Sequence, residues 1–115
     1  MLMTVAELPE YQRRAARLLS EDERQDLVSY LAAFPKDGDL IRGTSGVRKL
    51  RWRRSGQGKS SGVRVIYYFH SERMPLYLLT IFAKNERADL TQNERNELSK
   101  LVDVLVEAAL GERHG

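Results

Sequence analysis

The sequence predicts an α+β domain: a helical hairpin, a small antiparallel sheet and a last helix. Three observations predict it. Helical spacing with capping signals marks residues 9–34 and 91–111, a period of two fills the middle, and 115 residues suffice for one core rather than two. The order read from the chain is β-α-α-β-β-β-α over one domain, residues 1–115. The helices are expected to pack on one face of the sheet, leaving the other face open.

The opening element is short. Residues 2–6, Leu-Met-Thr-Val-Ala, suit an edge strand. Pro9 stands where proline opens a helix, and Tyr11, Ala15, Leu18 and Leu19 form an apolar stripe behind it. Ser20-Glu21-Asp22-Glu23 is a capping box, in which the serine oxygen accepts from an N–H three residues on and the glutamate reaches back. The helix it starts places Leu27, Leu31 and Phe34 on one face and stops at Pro35. Lys36-Asp37-Gly38-Asp39 is a turn.

The period then changes. Over residues 47–53, Arg48, Leu50 and Trp52 point one way, and Val47, Lys49, Arg51 and Arg53 the other. Trp52 belongs to the helix-covered core, and the opposite side is a basic ladder. Residues 55–62 are a glycine- and serine-rich connector. Residues 63–70 form a β-branched and aromatic central strand, in which Tyr67, Tyr68 and Phe69 are assigned to packing. Residues 76–83 are a third strand, joined to it by a hairpin over 71–75. Thr91-Gln92-Asn93-Glu94 is a second capping box. Leu98, Leu101, Val102, Leu105 and Ala109 follow on one face of a helix that ends near Gly111.

Composition removes several chemistries. The chain has no cysteine, so thiolate nucleophiles, disulfide scaffolds and cysteine-held metals are out. Its two histidines are His70 and His114, too few for a histidine metal site or an acid–base pair. Gly43-Thr44-Ser45-Gly46 is not a nucleophile elbow, and the 55–62 connector lacks the strand–loop–helix order of a phosphate-binding loop. Asp37 and Asp39 are turn formers with no further ligand nearby in the sequence. No cofactor or metal is expected. No apolar run is long enough to span a membrane and no leader is evident at the start, so a cytoplasmic location is expected.

What remains is charge. The net charge of +3 hides its distribution. Residues 40–71 hold Arg42, Arg48, Lys49, Arg51, Arg53, Arg54, Lys59 and Arg64 with no acid, while the rest of the chain carries 11 basic and 16 acidic residues. Such a block attracts a phosphate-rich partner. Lys49 and Arg51 on the first meander strand, Arg64 on the second and Lys84 past the third are expected to converge on the open face. Arg48, Arg53, Arg54, Lys59 and Arg87 would add RNA contacts. Cleaving RNA requires deprotonating a 2′-OH, stabilising the phosphorane and protonating the 5′ oxygen. The planar fork of Arg64 suits the second task, and a lysine among cations suits proton transfer.

The strings Gly-Asp-Leu-Ile-Arg-Gly-Thr-Ser-Gly-Val-Arg-Lys-Leu-Arg-Trp from Gly38, Gly-Val-Arg-Val-Ile-Tyr-Tyr from Gly62 and Leu-Thr-Ile-Phe-Ala-Lys-Asn-Glu from Leu79 resemble the HigB-type branch of the RelE/ParE toxin superfamily. The likeness extends from Leu8-Pro9-Glu10-Tyr11 through Asp89-Leu90-Thr91. It implies a RelE-like fold and a type II toxin that cuts mRNA in the ribosomal 30S A site without metal. It also implies a neutralising, DNA-binding antitoxin of the HigA kind. Carried over by position, the catalytic set is Lys49, Arg51, Arg64 and Lys84, with Arg87 beside it; Leu90 and Thr91 stand where relatives carry a tyrosine or histidine. The alternatives are a ParE-like inhibitor of DNA gyrase and a non-catalytic RNA-binding module of the same fold.

Overall fold

The computed structural model describes residues 2–54 and 62–111, so most of the glycine-rich connector lies outside the described residues. The elements run β1 (Val5–Glu7), α1 (Pro9–Leu18), α2 (Glu21–Ala33), β2 (Asp39–Leu40), β3 (Val47–Trp52), β4 (Val63–Tyr68), β5 (Leu76–Ala83) and α3 (Gln92–Leu110). Both capping boxes form, with Ser20 accepting from Glu23 N and Thr91 from Glu94 N. Gly111 closes α3 in the left-handed conformation that glycine adopts without strain.

The five strands lie in the order β1-β5-β4-β3-β2. The β3-β4-β5 meander is antiparallel, and β1 pairs with β5 in parallel. Strand β2 goes beyond the expected order. Its two residues pair with Arg48 and Lys49 because a tight loop returns the chain, with buried Thr44 donating to Ile41 O (2.6 Å) and accepting from Val47 N (3.1 Å). Gly43, Ser45 and Gly46 all have positive φ there.

The helices do not share one face. The α1–α2 hairpin packs on Leu50, Val63, Val65, Tyr67, Leu78 and Ile81, while α3 places Val102 and Val106 on the other side with Val47, Ile66, Tyr68, Leu79 and Phe82. The reason is the composition of the central strands. Every residue of β4 is buried, and β5 is apolar in both alternating sets. A strand that is apolar on both sides needs a cover on both. Only the far end of the second face is left to the cations. At the end of α2, Phe34 leaves the core stripe. It is the C-cap residue, 57% exposed, and rests on Tyr30 (5.1 Å between ring centroids).

A bulge interrupts the β4–β5 ladder. Ile66 pairs with Thr80 but Tyr67 pairs with Leu78, so Leu79 is unmatched. Alternation restarts there, and Phe82 is delivered to the α3 face opposite Arg64.

One polar clasp fixes the chain between α2 and β2. Gly38 N donates to Tyr67 Oη (2.8 Å), which donates to Pro35 O (2.9 Å). Glycine is required, since a Cβ would come within 2.7 Å of the tyrosine ring. Tyr67→Phe leaves the amide and the carbonyl unpaired in a buried place. It is expected to cost ~1–3 kcal/mol, read as a lowered thermal midpoint with the far-UV spectrum unchanged.

A cationic patch as the candidate functional site

Strands β3 and β4 build the floor of the site. Lys49 and Arg51 lie on the α3 side of β3, while Leu50 and Trp52 alternate into the hairpin core. Arg51 stands directly opposite Arg64 in register. Directly opposed like charges destabilise a sheet, so this pair opposes stability where it stands. Arg64 is also only 7% exposed, and its Nη1 is buried with no hydrogen-bond partner among the described residues.

The carboxylates that would pair Arg64 are engaged elsewhere. Asp89 accepts from Lys49 Nζ (3.3 Å) and Arg95 Nη2 (3.4 Å). Glu86 accepts from Ala83 N (3.1 Å) and lies 3.9 Å from Arg17. Glu94 takes Arg87 Nη2 and Thr91 N. Arg64 is therefore not a scaffold arginine paired to Glu86 or Asp89. A buried donor without a partner is costly, and an arriving phosphate oxygen would satisfy it.

The segment between β5 and α3 forms the rim. Its Arg87 guanidinium lies over the Phe82 ring, 4.8 Å from the centroid. Desolvation pushes the Asp89 carboxyl upward, but the Leu90 amide and Lys49 outweigh it and hold the group below its ordinary value. Glu94 is lowered chiefly by its hydrogen bond to Arg87, against partial desolvation. Both folded-state values are depressed, so their stabilisation is present above the unfolded carboxylate range of about 4 and is lost as pH falls through and below it. The expected result is a small acid-side fall in thermal midpoint that Asp89→Asn diminishes, followed by carboxyl-detected NMR titration. Both groups are partly exposed, so the effect stays modest.

The remaining sequence candidates divide. Arg48 turns to the hairpin side and donates to Lys36 O (3.1 Å) and Gly38 O (2.7 Å), so it braces the clasp rather than the patch. Arg53 is exposed just past β3, and Arg54 is half-buried. Lys84 is exposed beyond β5, where its amide donates to Gly62 O (3.1 Å). Lys59 lies outside the described residues. Arg95 was absent from the sequence candidates. Its signal was its place four residues after the Thr91 cap and six after Asp89, which brings it to the rim.

Beside the rim runs a groove of about 470 Å³ lined by Leu8, Leu79, Leu90, Leu98 and Leu101, with Glu97 among its polar residues. Among the described residues no group of three or more His, Cys, Asp or Glu is placed to hold a metal ion, and no helix is long and apolar enough to cross a membrane.

A five-stranded sheet between a two-helix layer and a single helix, with Lys49, Arg51 and Arg64 grouped at one end of the α3 side, defines a small α+β domain with a cationic patch. A family model for the RelE toxin of the RelE/RelB toxin–antitoxin system matches residues 12–112, and the chain belongs to that toxin family. Among solved structures it is similar to the E. coli toxin RelE, an arginine-to-alanine double mutant in the free state. That match has a TM-score of 0.58 and 15% identity over 89% of this chain and 98% of the other. At that identity the likeness speaks to the fold, which is α+β and RelE-like as expected from the sequence.

Proposed function

We propose that this toxin is a ribosome-dependent mRNA endoribonuclease of the HigB-type branch, acting in the cytoplasm without a metal. One observation carries the reading: a nearly buried Arg64 with an unpartnered guanidinium nitrogen, facing Arg51 across the ladder. In this reading the 2′-oxygen attacks phosphorus, the bond to the 5′ oxygen breaks, and the products are a 2′,3′-cyclic phosphate and a 5′-hydroxyl. Arg64 stabilises the charge gathering on the phosphorane, with Arg51 and Lys49 holding phosphate oxygens beside it. The proton lost by the 2′-OH and the one gained by the 5′ oxygen are assigned to lysine, Lys49 foremost, because arginine does not give up its proton.

Among the described residues no histidine or carboxylate pair stands at the patch to orient a free RNA, so alignment for in-line attack falls to the 30S A site with its mRNA. The neutralising partner is a DNA-binding antitoxin of the HigA kind. It would set carboxylates against Lys49 and Arg51, and the leucine groove beside α3 is a seat for one of its helices. The test is induction in cells, with pulse labelling and primer extension on a translated mRNA. Loss of protein synthesis with new cuts inside the reading frame is expected. Loss of DNA synthesis instead would place the chain with gyrase inhibitors, and the absence of growth arrest would leave an RNA-binding module.

A further inference from the structure

Phe82, Arg87 and Glu94 form a stack that the cleavage chemistry leaves unused. Phe82 is directly opposite Arg64 across the β4–β5 ladder. The Arg87 guanidinium covers its ring at 4.8 Å. Glu94 holds Arg87 by one nitrogen and is itself fixed by the capping box, accepting from Thr91 N at 2.8 Å. The guanidinium carbon thus sits over the ring and the group is pinned at one edge, yet the side chain is still 32% exposed. A rim arginine held by nothing would spread over many rotamers, whereas this one is preorganised.

Its remaining capacity is not for phosphate. Glu94 already balances its charge and would repel a second anion. Beside Nε, which is buried and makes no hydrogen bond among the described residues, what is left is the outer face of the guanidinium, a plane on which nucleobases stack. We propose that Arg87, backed by Phe82 and fixed by Glu94, is the stacking platform for the nucleobase adjoining the phosphate held by Arg64. The inference rests on the RNA-cleavage reading and adds to it a residue that orients the base, and hence the nucleotide chosen.

The probe is a short RNA carrying 2-aminopurine, with a 2′-O-methyl sugar at each position so that it cannot be cut. Stacking quenches 2-aminopurine, and anisotropy of an end label reports binding separately. The wild-type protein at low salt is expected to bind the probe with saturable quenching. Arg87→Lys keeps the charge but loses the plane, so binding should weaken about tenfold and the residual complex should stay bright. Phe82→Leu, with melting checked, should lose quenching in the same direction. Arg13→Ala, a remote exposed cation on α1, should match wild type. Full quenching by Arg87→Lys overturns the platform and leaves the RNA reading standing. Wild-type protein that shows no anisotropy change at any concentration overturns the platform as well, while the cleavage reading falls separately, on the absence of cuts in translated mRNA after induction.

Discussion

Replacing Arg64 with alanine is expected to lower mRNA cleavage about 10²–10³-fold, the loss typical of one dedicated charge-stabilising donor. The thermal midpoint should stay at or slightly above that of the parent. The reason lies in the sheet: Arg64 faces Arg51 directly, and its buried Nη1 has no partner among the described residues. Removing it relieves a like-charge contact and an unsatisfied donor, at the expense of the packing of its aliphatic stem. Arg64→Lys should restore little, since one ammonium cannot reproduce a planar fork on phosphate oxygens. Growth arrest on induction, set against melting of the purified variant, decides the matter. Undiminished toxicity removes Arg64 from the mechanism. Lost toxicity with a collapsed midpoint makes it a structural residue.

The largest effect on stability is expected from Leu27→Ala. Leu27 is fully buried between α2 and the sheet, in the layer that holds Tyr11, Leu31, Val65 and Tyr67. Removing its isobutyl group loses transfer free energy and leaves a cavity that helices clamped by a capping box and a polar clasp cannot close. The cost is ~2–5 kcal/mol, a fall in thermal midpoint of more than about 10 °C for a domain of this size. Calorimetry should show it, and toxicity should be weakened in warm cultures and recover in cool ones. The same substitution at Val104, which is 62% exposed on α3, should stay within about 0.5 kcal/mol. A Leu27→Ala midpoint within a few degrees of wild type would mean that the hairpin collapses onto the gap.

These two substitutions mark what could be read from the chain and what could not. Local rules were legible. Ser20 and Thr91 announce their caps, Pro9 opens α1, and Gly111 ends α3, because each acts within four residues. The alternation of β3 was equally clear, and it already set Arg48 on the side of Trp52, away from Lys49 and Arg51. Charge alone had grouped Arg48 with the patch, and the clasp shows what the direction implied. The cover over the second face was present in the sequence as well. Ile66, Tyr68 and Leu79 are apolar at positions that an open face would not need, so the helix belonged on top of them. Less legible were features that depend on distant residues meeting. Nothing local links Asp89 to Lys49, 40 positions earlier, or tells that Glu86 turns to its own backbone. That Arg64 Nη1 is left without a partner among the described residues follows only once those carboxylates are placed.

The bulge at Leu79 gives β5 two parities. Before it, even-numbered residues face the hairpin helices, as Leu76 and Leu78 do; after it the odd ones do, as Ile81 does. Closing the bulge, with Leu79 paired opposite Ile66 like any other strand residue, would leave the strand's length, hydropathy and β-propensity unaltered. It would nevertheless send Phe82 down among Val63 and Tyr11, and bring Ile81 up beneath Arg87. The hydrophobic count is the same either way, so composition cannot tell the two registers apart. Only one of them has an aromatic ring beside Arg64. The strand therefore behaves as two independently addressed segments. Both halves reach the hairpin core, through Leu78 before Leu79 and Ile81 after it, but with opposite parity, and only the second brings a ring to Arg64.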